Sequence, residues 1–218
     1  MKVAVLLSGG LDSTTALHWA KQHHEVVCAL CFDYASNHAE KELACARWQA
    51  EKLGVPCHVI DITAISKHLS SALLRGADAI PTEDYGEDNM KQTVVPFRNG
   101  IFLAIAAGIA ESNGAEGIVI AAHAGDHALY PDCRSEFMEA MGRAIQLGTY
   151  AELEIIDPFI DSGKGDIVAM GTAMGVDYSH TYSCYKGGEK HCGRCGTCRE
   201  RKQAFIEAGV ADPTEYAE

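Results

Sequence analysis

Long apolar runs are missing from this sequence. No stretch is long and apolar enough to span a bilayer, and the first residues read as a strand where a secretory leader would need a charged start and a cleavage site. A soluble, cytoplasmic protein with no membrane partner is expected. Basic charge is also scarce: 18 Lys and Arg stand against 30 Asp and Glu, a net charge of −12. Such a surface repels a phosphate backbone, so no stable nucleic-acid partner is expected and a small-molecule substrate fits better. A local basic patch around Arg194, Arg199, Arg201 and Lys202 stays open. Nine cysteines, an odd number, occur without secretory signals, and four of them crowd into residues 184–198. That pattern excludes a disulfide framework and points to reduced thiols with a metal site. A length of 218 residues suits one α/β domain with a small appendage.

The N-terminal glycine turn lacks what two common phosphate motifs require. Val3 to Leu7 is a Val/Leu run that reads as a buried strand, and Thr14 to Lys21 reads as a helix. Between them stands Ser8-Gly9-Gly10-Leu11-Asp12-Ser13, with no lysine for a Walker loop and no third glycine for a dinucleotide fingerprint. A strand, a tight turn and a helix N-terminus still make an anion site, because unpaired N–H groups and the helix dipole both favour negative charge there. Gly9 and Gly10 should let the backbone come close to a ligand, while Ser8 and Ser13 supply hydroxyl donors. The hexapeptide resembles the pyrophosphate loop of the ATP-pyrophosphatase group. Members of that group break ATP between its α and β phosphates and adenylate a substrate oxygen.

Further along, residues 26–33 read as a second strand ending at Asp33-Tyr34, then a helix from about His38 to Leu53 stops at Gly54, and residues 56–62 read as a third strand. The resulting βαβαβ order implies a parallel sheet with right-handed crossovers, with ligands outside the carboxyl ends of the strands. Tyr34 falls at that edge, as a cavity wall or as a core aromatic. Residues 64–74 suggest a short helix. The acidic stretch 77–93 reads as a loop over the site or as plain solvated surface. Asn99 is a plausible N-cap for the apolar helix that follows it, and Arg98 beside a buried helix needs a partner, either an anionic substrate or a structural ion pair. Gly117 to Ala122 makes a fourth strand, leading to Asp126, Tyr130 and Asp132, a dense set of polar groups at the same edge. Residues 134–147 form a helix whose Phe137, Met138, Met141 and Ile145 stripe belongs to the core. Leu153 to Ile156 gives a fifth strand. Lys164 opens another helix, where a lysine opposes the dipole unless an anion neutralises it.

Near the end, Cys184 is followed by Cys192, Cys195 and Cys198 among several glycines. Four thiolates on a short bendable segment suit a closed structural Zn²⁺ site, with an iron–sulfur cluster as the competing metal and His191 as a bystander.

The glycine turn and the cysteine cluster, together in one chain of this length, resemble the 7-cyano-7-deazaguanine synthase family of queuosine precursor synthesis. The likeness rests on Leu7-Ser8-Gly9-Gly10-Leu11-Asp12-Ser13-Thr14-Thr15-Ala16-Leu17, Phe32-Asp33-Tyr34, Val95-Pro96 with Arg98-Asn99, Tyr130-Pro131-Asp132-Cys133-Arg134, and Cys184-Tyr185 leading to the other three cysteines. The chain departs from the family at Ala35-Ser36-Asn37, where Gly-Gln-Arg is usual, at Phe97, where glycine is usual, and at Ala124-Gly125. The resemblance implies a Rossmann-like parallel five-stranded sheet over residues 1–178 and a zinc-binding segment with a C-terminal helix over 179–218. It also implies an ATP-dependent ligase, forming homodimers, that joins 7-carboxy-7-deazaguanine and free ammonia. Leu7 to Leu17 would hold ATP, with Ser8, Asp12, Ser13 and Lys164 acting on its phosphates and Mg²⁺ offsetting charge. Arg98, Asn99, Asp126, Tyr130 and Asp132 would bind the deazaguanine acid. Two relatives remain as rivals: an enzyme attaching a deazaguanine to a protein, and a tRNA-thiolating enzyme sharing the loop.

Overall fold

The structure, a computed structural model, describes residues 1–76, 91–126 and 130–217. The expected acidic loop lies mostly outside those residues. Strands β1 (Lys2–Leu6), β2 (Glu25–Asp33), β3 (Cys57–Asp61), β4 (Gly117–Val119) and β5 (Glu154–Ile156) form one parallel sheet in the order β3-β2-β1-β4-β5. The helices are α1 (Leu11–His23), α2 (Ala39–Lys52), α3 (Thr63–Ser66), α4 (Arg98–Ser112), α5 (Ser135–Gly148), α6 (Lys164–Ala173) and α7 (Gly196–Glu207).

The central strands β1 and β4 and the middle of β2 are apolar and buried because both faces of the sheet are covered there, whereas the edge strand β3 is largely exposed. Val3, Val5 and Leu7 pack with α1 and α6 on one face, while Ala4 and Leu6 pack with α4 on the other. In α4, Leu103, Ala106, Ala107 and Ala110 recur at helical spacing and carry small side chains, so the helix lies close on the sheet. After β3 the chain returns to the other side of β1 to form β4. The crossovers leaving β1 and β4 therefore diverge, and the carboxyl ends of the central strands open a crevice.

Three local expectations are corrected. The fourth strand is only three residues long, although Ile120 N–H still reaches the Ile156 carbonyl at 3.0 Å. The 64–74 helix stops at Ser66 and continues as turns. Asn99 is not the N-cap of α4; Phe97 is, in the left-handed region at φ +54°, and Arg98 is the first helical residue. No helix among the described residues is long and apolar enough to cross a membrane.

Candidate active site at the glycine turn

The crevice holds a cavity of about 810 Å³, within the size range of small-molecule sites. Leu7, Ser8, Gly10, Leu11, Asp12 and Ser13 line one end of it. The turn is held by its own hydroxyls: Ser13 Oγ accepts the Ser8 N–H at 3.1 Å and lies 2.9 Å from Ser8 Oγ, which accepts the Gly10 N–H at 3.2 Å. Gly10 starts α1 without a side-chain cap, so the first-turn N–H groups face the cavity end uncapped. Thr14, Thr15, Ala16 and Leu17 are fully buried beneath the turn and support it. Thr15 Oγ1 donates to the Leu11 carbonyl at 2.9 Å and pairs with the Tyr178 hydroxyl at 2.9 Å.

The two glycines have different reasons to be there. Gly10 is on the cavity wall. Gly9 has φ +88°, and a Cβ on it would collide with the Glu42 carbonyl oxygen and stand 2.8 Å from the Ala46 nitrogen. Its missing side chain makes room for α2. Gly9 also accepts the Tyr182 N–H at 3.0 Å, tying the turn to the segment that leads into the cysteines.

Lys164, at the first position of α6, is balanced by carboxylates: its Nζ lies 2.7 Å from Glu200 Oε2 and 3.4 Å from Asp12 Oδ2. Asp12 Oδ1 is buried with no hydrogen-bond partner, an acceptor left over beside the turn.

Arg98 lines the same cavity. Its Nη1 donates to the Tyr34 hydroxyl at 3.2 Å, and its guanidinium centre lies 5.6 Å from the Tyr34 ring. Burial disfavours the charge, but the surrounding Tyr34, Tyr185, Tyr130 and Glu42 outweigh it and hold the guanidinium above its usual value. Asn99, Tyr130 and Cys133 also line the cavity, whereas Asp132 does not. The Asp132 carboxylate accepts the Asn99 backbone N–H at 2.8 Å, and its carbonyl accepts Asn99 Nδ2 at 3.1 Å. Asp132 therefore fixes the start of α4, and with it Arg98. Cys133 is buried and receives Asn99 Nδ2 at 3.1 Å, a packing role. The side chain of Asp126 lies outside what is described.

Sequence reasoning gave no role to His38 and Glu42. Both line the cavity, His38 as the N-cap of α2 and Glu42 one turn on, with His38 Nε2 3.5 Å from Glu42 Oε2. The i,i+4 spacing was the available signal, but that spacing marks surface pairs more often than sites.

The four cysteine sulfurs all lie within 4.8 Å of one another. Cys195 to Cys198 is 3.4 Å, and Cys192 to Cys198 and Cys195 to Cys184 are 4.0 Å. One tetrahedral ion with bonds of about 2.3 Å spaces its sulfurs by roughly 3.8 Å, so this set fits a single metal ion. Backbone N–H groups of Cys192 and Cys195 donate to the Cys184 and Cys192 sulfurs at 3.3 and 3.2 Å, orienting the ligands. His191 stays outside the set: its Nε2 accepts the Ser183 N–H at 3.0 Å, and burial pushes the imidazole down to about 4. The basic patch is corrected too. Arg201 is fully buried, donating to the Tyr178 carbonyl at 2.9 Å, Thr181 Oγ1 at 2.8 Å and Asp212 Oδ1 at 3.4 Å. The cysteine segment and α7 contribute Tyr182, Ser183, Thr197 and Glu200 to the cavity wall.

The family model described as queuosine biosynthesis protein QueC matches residues 2–209. A 7-cyano-7-deazaguanine synthase of Porphyromonas gingivalis is 50% identical over 97% of this chain and 96% of its own length. Another of the same name, from Methanoregula boonei, is 46% identical over 99% of both chains. Among solved structures, the U34-tRNA thiolase NcsA of Methanococcus maripaludis, with its [4Fe-4S] cluster, aligns at a TM-score of 0.55 and 14% identity over 94% of this chain and 65% of that one. NMN synthetase from Francisella tularensis aligns at 0.54 and 14% identity, over 96% of this chain and 77% of that one. At such identities the two structures share the fold alone. With a model matched over nearly its whole length and relatives near half identical, the chain belongs to the QueC family of queuosine biosynthesis proteins.

Proposed function

We propose that this protein is an ATP-dependent ligase that converts 7-carboxy-7-deazaguanine and ammonia to 7-cyano-7-deazaguanine. The observation that carries this reading is one cavity lined both by an anion-binding turn and by a half-buried cation, Arg98. A carboxylate and an amide oxygen are poor leaving groups until they are esterified to AMP. The Ser8–Ser13 turn would hold the pyrophosphate leaving group through backbone N–H and hydroxyl donors, with Lys164 shifting from Asp12 and Glu200 to phosphate oxygens. The unpartnered Asp12 Oδ1 suits a magnesium ion carried by the nucleotide, which when bound would offset phosphate charge. Arg98 would clamp the substrate carboxylate, with Tyr130 and Asn99 along the same wall and Asp132 holding that wall in place. The acid's oxygen attacks the α-phosphorus and pyrophosphate leaves. Ammonia then displaces AMP to give the amide, and a second ATP activates the amide oxygen, whose loss with AMP leaves the nitrile.

The cysteine set suits zinc, which would hold Tyr182 and Thr197 in the cavity wall without taking part in the chemistry. A homodimer is the expected assembly, and light scattering reports it directly.

The test is purified protein with ATP, ammonia and 7-carboxy-7-deazaguanine. AMP, pyrophosphate and the nitrile should form with no macromolecule added, read by mass spectrometry. ADP with orthophosphate would overturn the reading, and so would product formed only as an adduct on a protein or RNA.

A further inference from the structure

At neutral pH, ammonia in solution is almost all ammonium, which has no lone pair to attack a carbonyl. Nitrogen entering an acyl adenylate must shed protons, and closing an amide to a nitrile sheds another. The reaction therefore needs a base in the cavity beside the reacting carbon. The turn and Lys164 are occupied with phosphates, and Arg98 has no acceptor.

We propose that His38, oriented by Glu42, is this base. It rests on the ligase reading above. Three observations place it. His38 is 3% exposed, lines the cavity, and its Nδ1 has no hydrogen-bond partner. Glu42 Oε2 lies 3.5 Å from the other ring nitrogen, Nε2, so its carboxylate favours the tautomer with the proton on Nε2 and leaves Nδ1 an acceptor. Finally, α2 packs on the glycine turn at Gly9 through the Glu42 carbonyl, while the Glu42 carboxylate feels Arg98. The pair thus lines the same cavity as the turn and Arg98.

In the first nitrogen step Nδ1 takes a proton from ammonium. The freed lone pair forms the C–N bond, the C–O bond to AMP breaks with AMP carrying off that electron pair, and the second surplus N–H proton passes to the phosphate of the departing AMP; Nδ1 gives its own proton up to solvent before the next step. In the last step the N–H proton of the O-adenylated amide passes to Nδ1, the N–H pair becomes the third C–N bond, and AMP leaves again. Glu42 stabilises the imidazolium formed each time. Burial pushes the Glu42 carboxyl up, while His38 and Arg98 pull it down. Among the described residues, the titratable groups against His38 are Glu42, one turn on, and Tyr185, whose ring centre lies 5.6 Å away, while Arg98 acts on Glu42.

Hydroxylamine separates this role from a structural one, because it is a neutral nucleophile at pH 7. His38→Asn and Glu42→Gln are compared with the wild type in three assays: acid-dependent ATP–pyrophosphate exchange, ammonia-dependent AMP release, and hydroxylamine-dependent AMP release. His38→Asn should lose about 100-fold with ammonia yet stay within about threefold with hydroxylamine. Its ammonia rate should also climb with pH toward alkaline values, where free ammonia is plentiful, and Glu42→Gln should show the same pattern more weakly. Equal losses with both nucleophiles, or no loss with either, overturn the assignment. If the wild type itself shows no acid-dependent exchange, the ligase reading fails and the inference falls with it.

Discussion

Gly9→Ala tests why the turn has two glycines. The new Cβ would meet the Glu42 carbonyl oxygen and lie 2.8 Å from the Ala46 nitrogen, both backbone atoms of α2 that cannot rotate away. The residue would also keep φ +88°, which costs an L-residue about 1–2 kcal/mol. Backing α2 off the turn is an overpacking cost of about 1–3 kcal/mol. A total near 3 kcal/mol lowers the melting temperature of a chain this size by roughly 6–12 °C. Differential scanning fluorimetry of the protein without nucleotide reads that loss directly. If the variant melted with the wild type and only nucleotide binding were lost, Gly9 would be serving the ligand, and the argument from helix packing would be wrong.

Ala35 sits at φ +60° where relatives of this family often have glycine, so Ala35→Gly should raise stability by about 0.5–1 kcal/mol in chemical denaturation. Arg201→Met strips a buried guanidinium from the Tyr178 carbonyl, Thr181 and Asp212 and should cost about 3–5 kcal/mol in the same assay. Burial holds the His18 imidazole below its usual value, so the unfolded chain binds its proton first; stability is full above about pH 6.5 and falls as pH drops below that. His18→Gln should flatten part of that acid slope, and an unchanged slope would assign it elsewhere. Stripping metal with a chelator, or Cys195→Ser, should release the 184–198 segment to limited proteolysis together with loss of bound metal by elemental analysis.

Much of this site could be read from residue order because its parts announce themselves locally. The Val3–Leu7 run, the glycine turn and the Cys192, Cys195, Cys198 spacing each state their structure within a few residues. What escaped reading depends on distant partners. Asn99 looks like a cap in isolation, yet Asp132 takes its N–H and Phe97 adopts the left-handed turn instead. Phenylalanine gives no hint of that conformation, although the family glycine at this place does, and the same holds for Ala35. Arg201 looked like one more surface charge in a basic run, because the carbonyl and hydroxyls it serves come from residues 178–183, folded back beneath it. His38 and Glu42 were inconspicuous as an ordinary helical pair. Only the folded packing of α2 beside the glycine turn brings them to the cavity wall.

The bond from Tyr182 N–H to the Gly9 carbonyl joins segments far apart in the sequence. The shape of the glycine turn therefore depends on the strand of chain leading into the cysteines as well as on its own hydroxyls. Loosening that segment should loosen the turn without altering any residue in it.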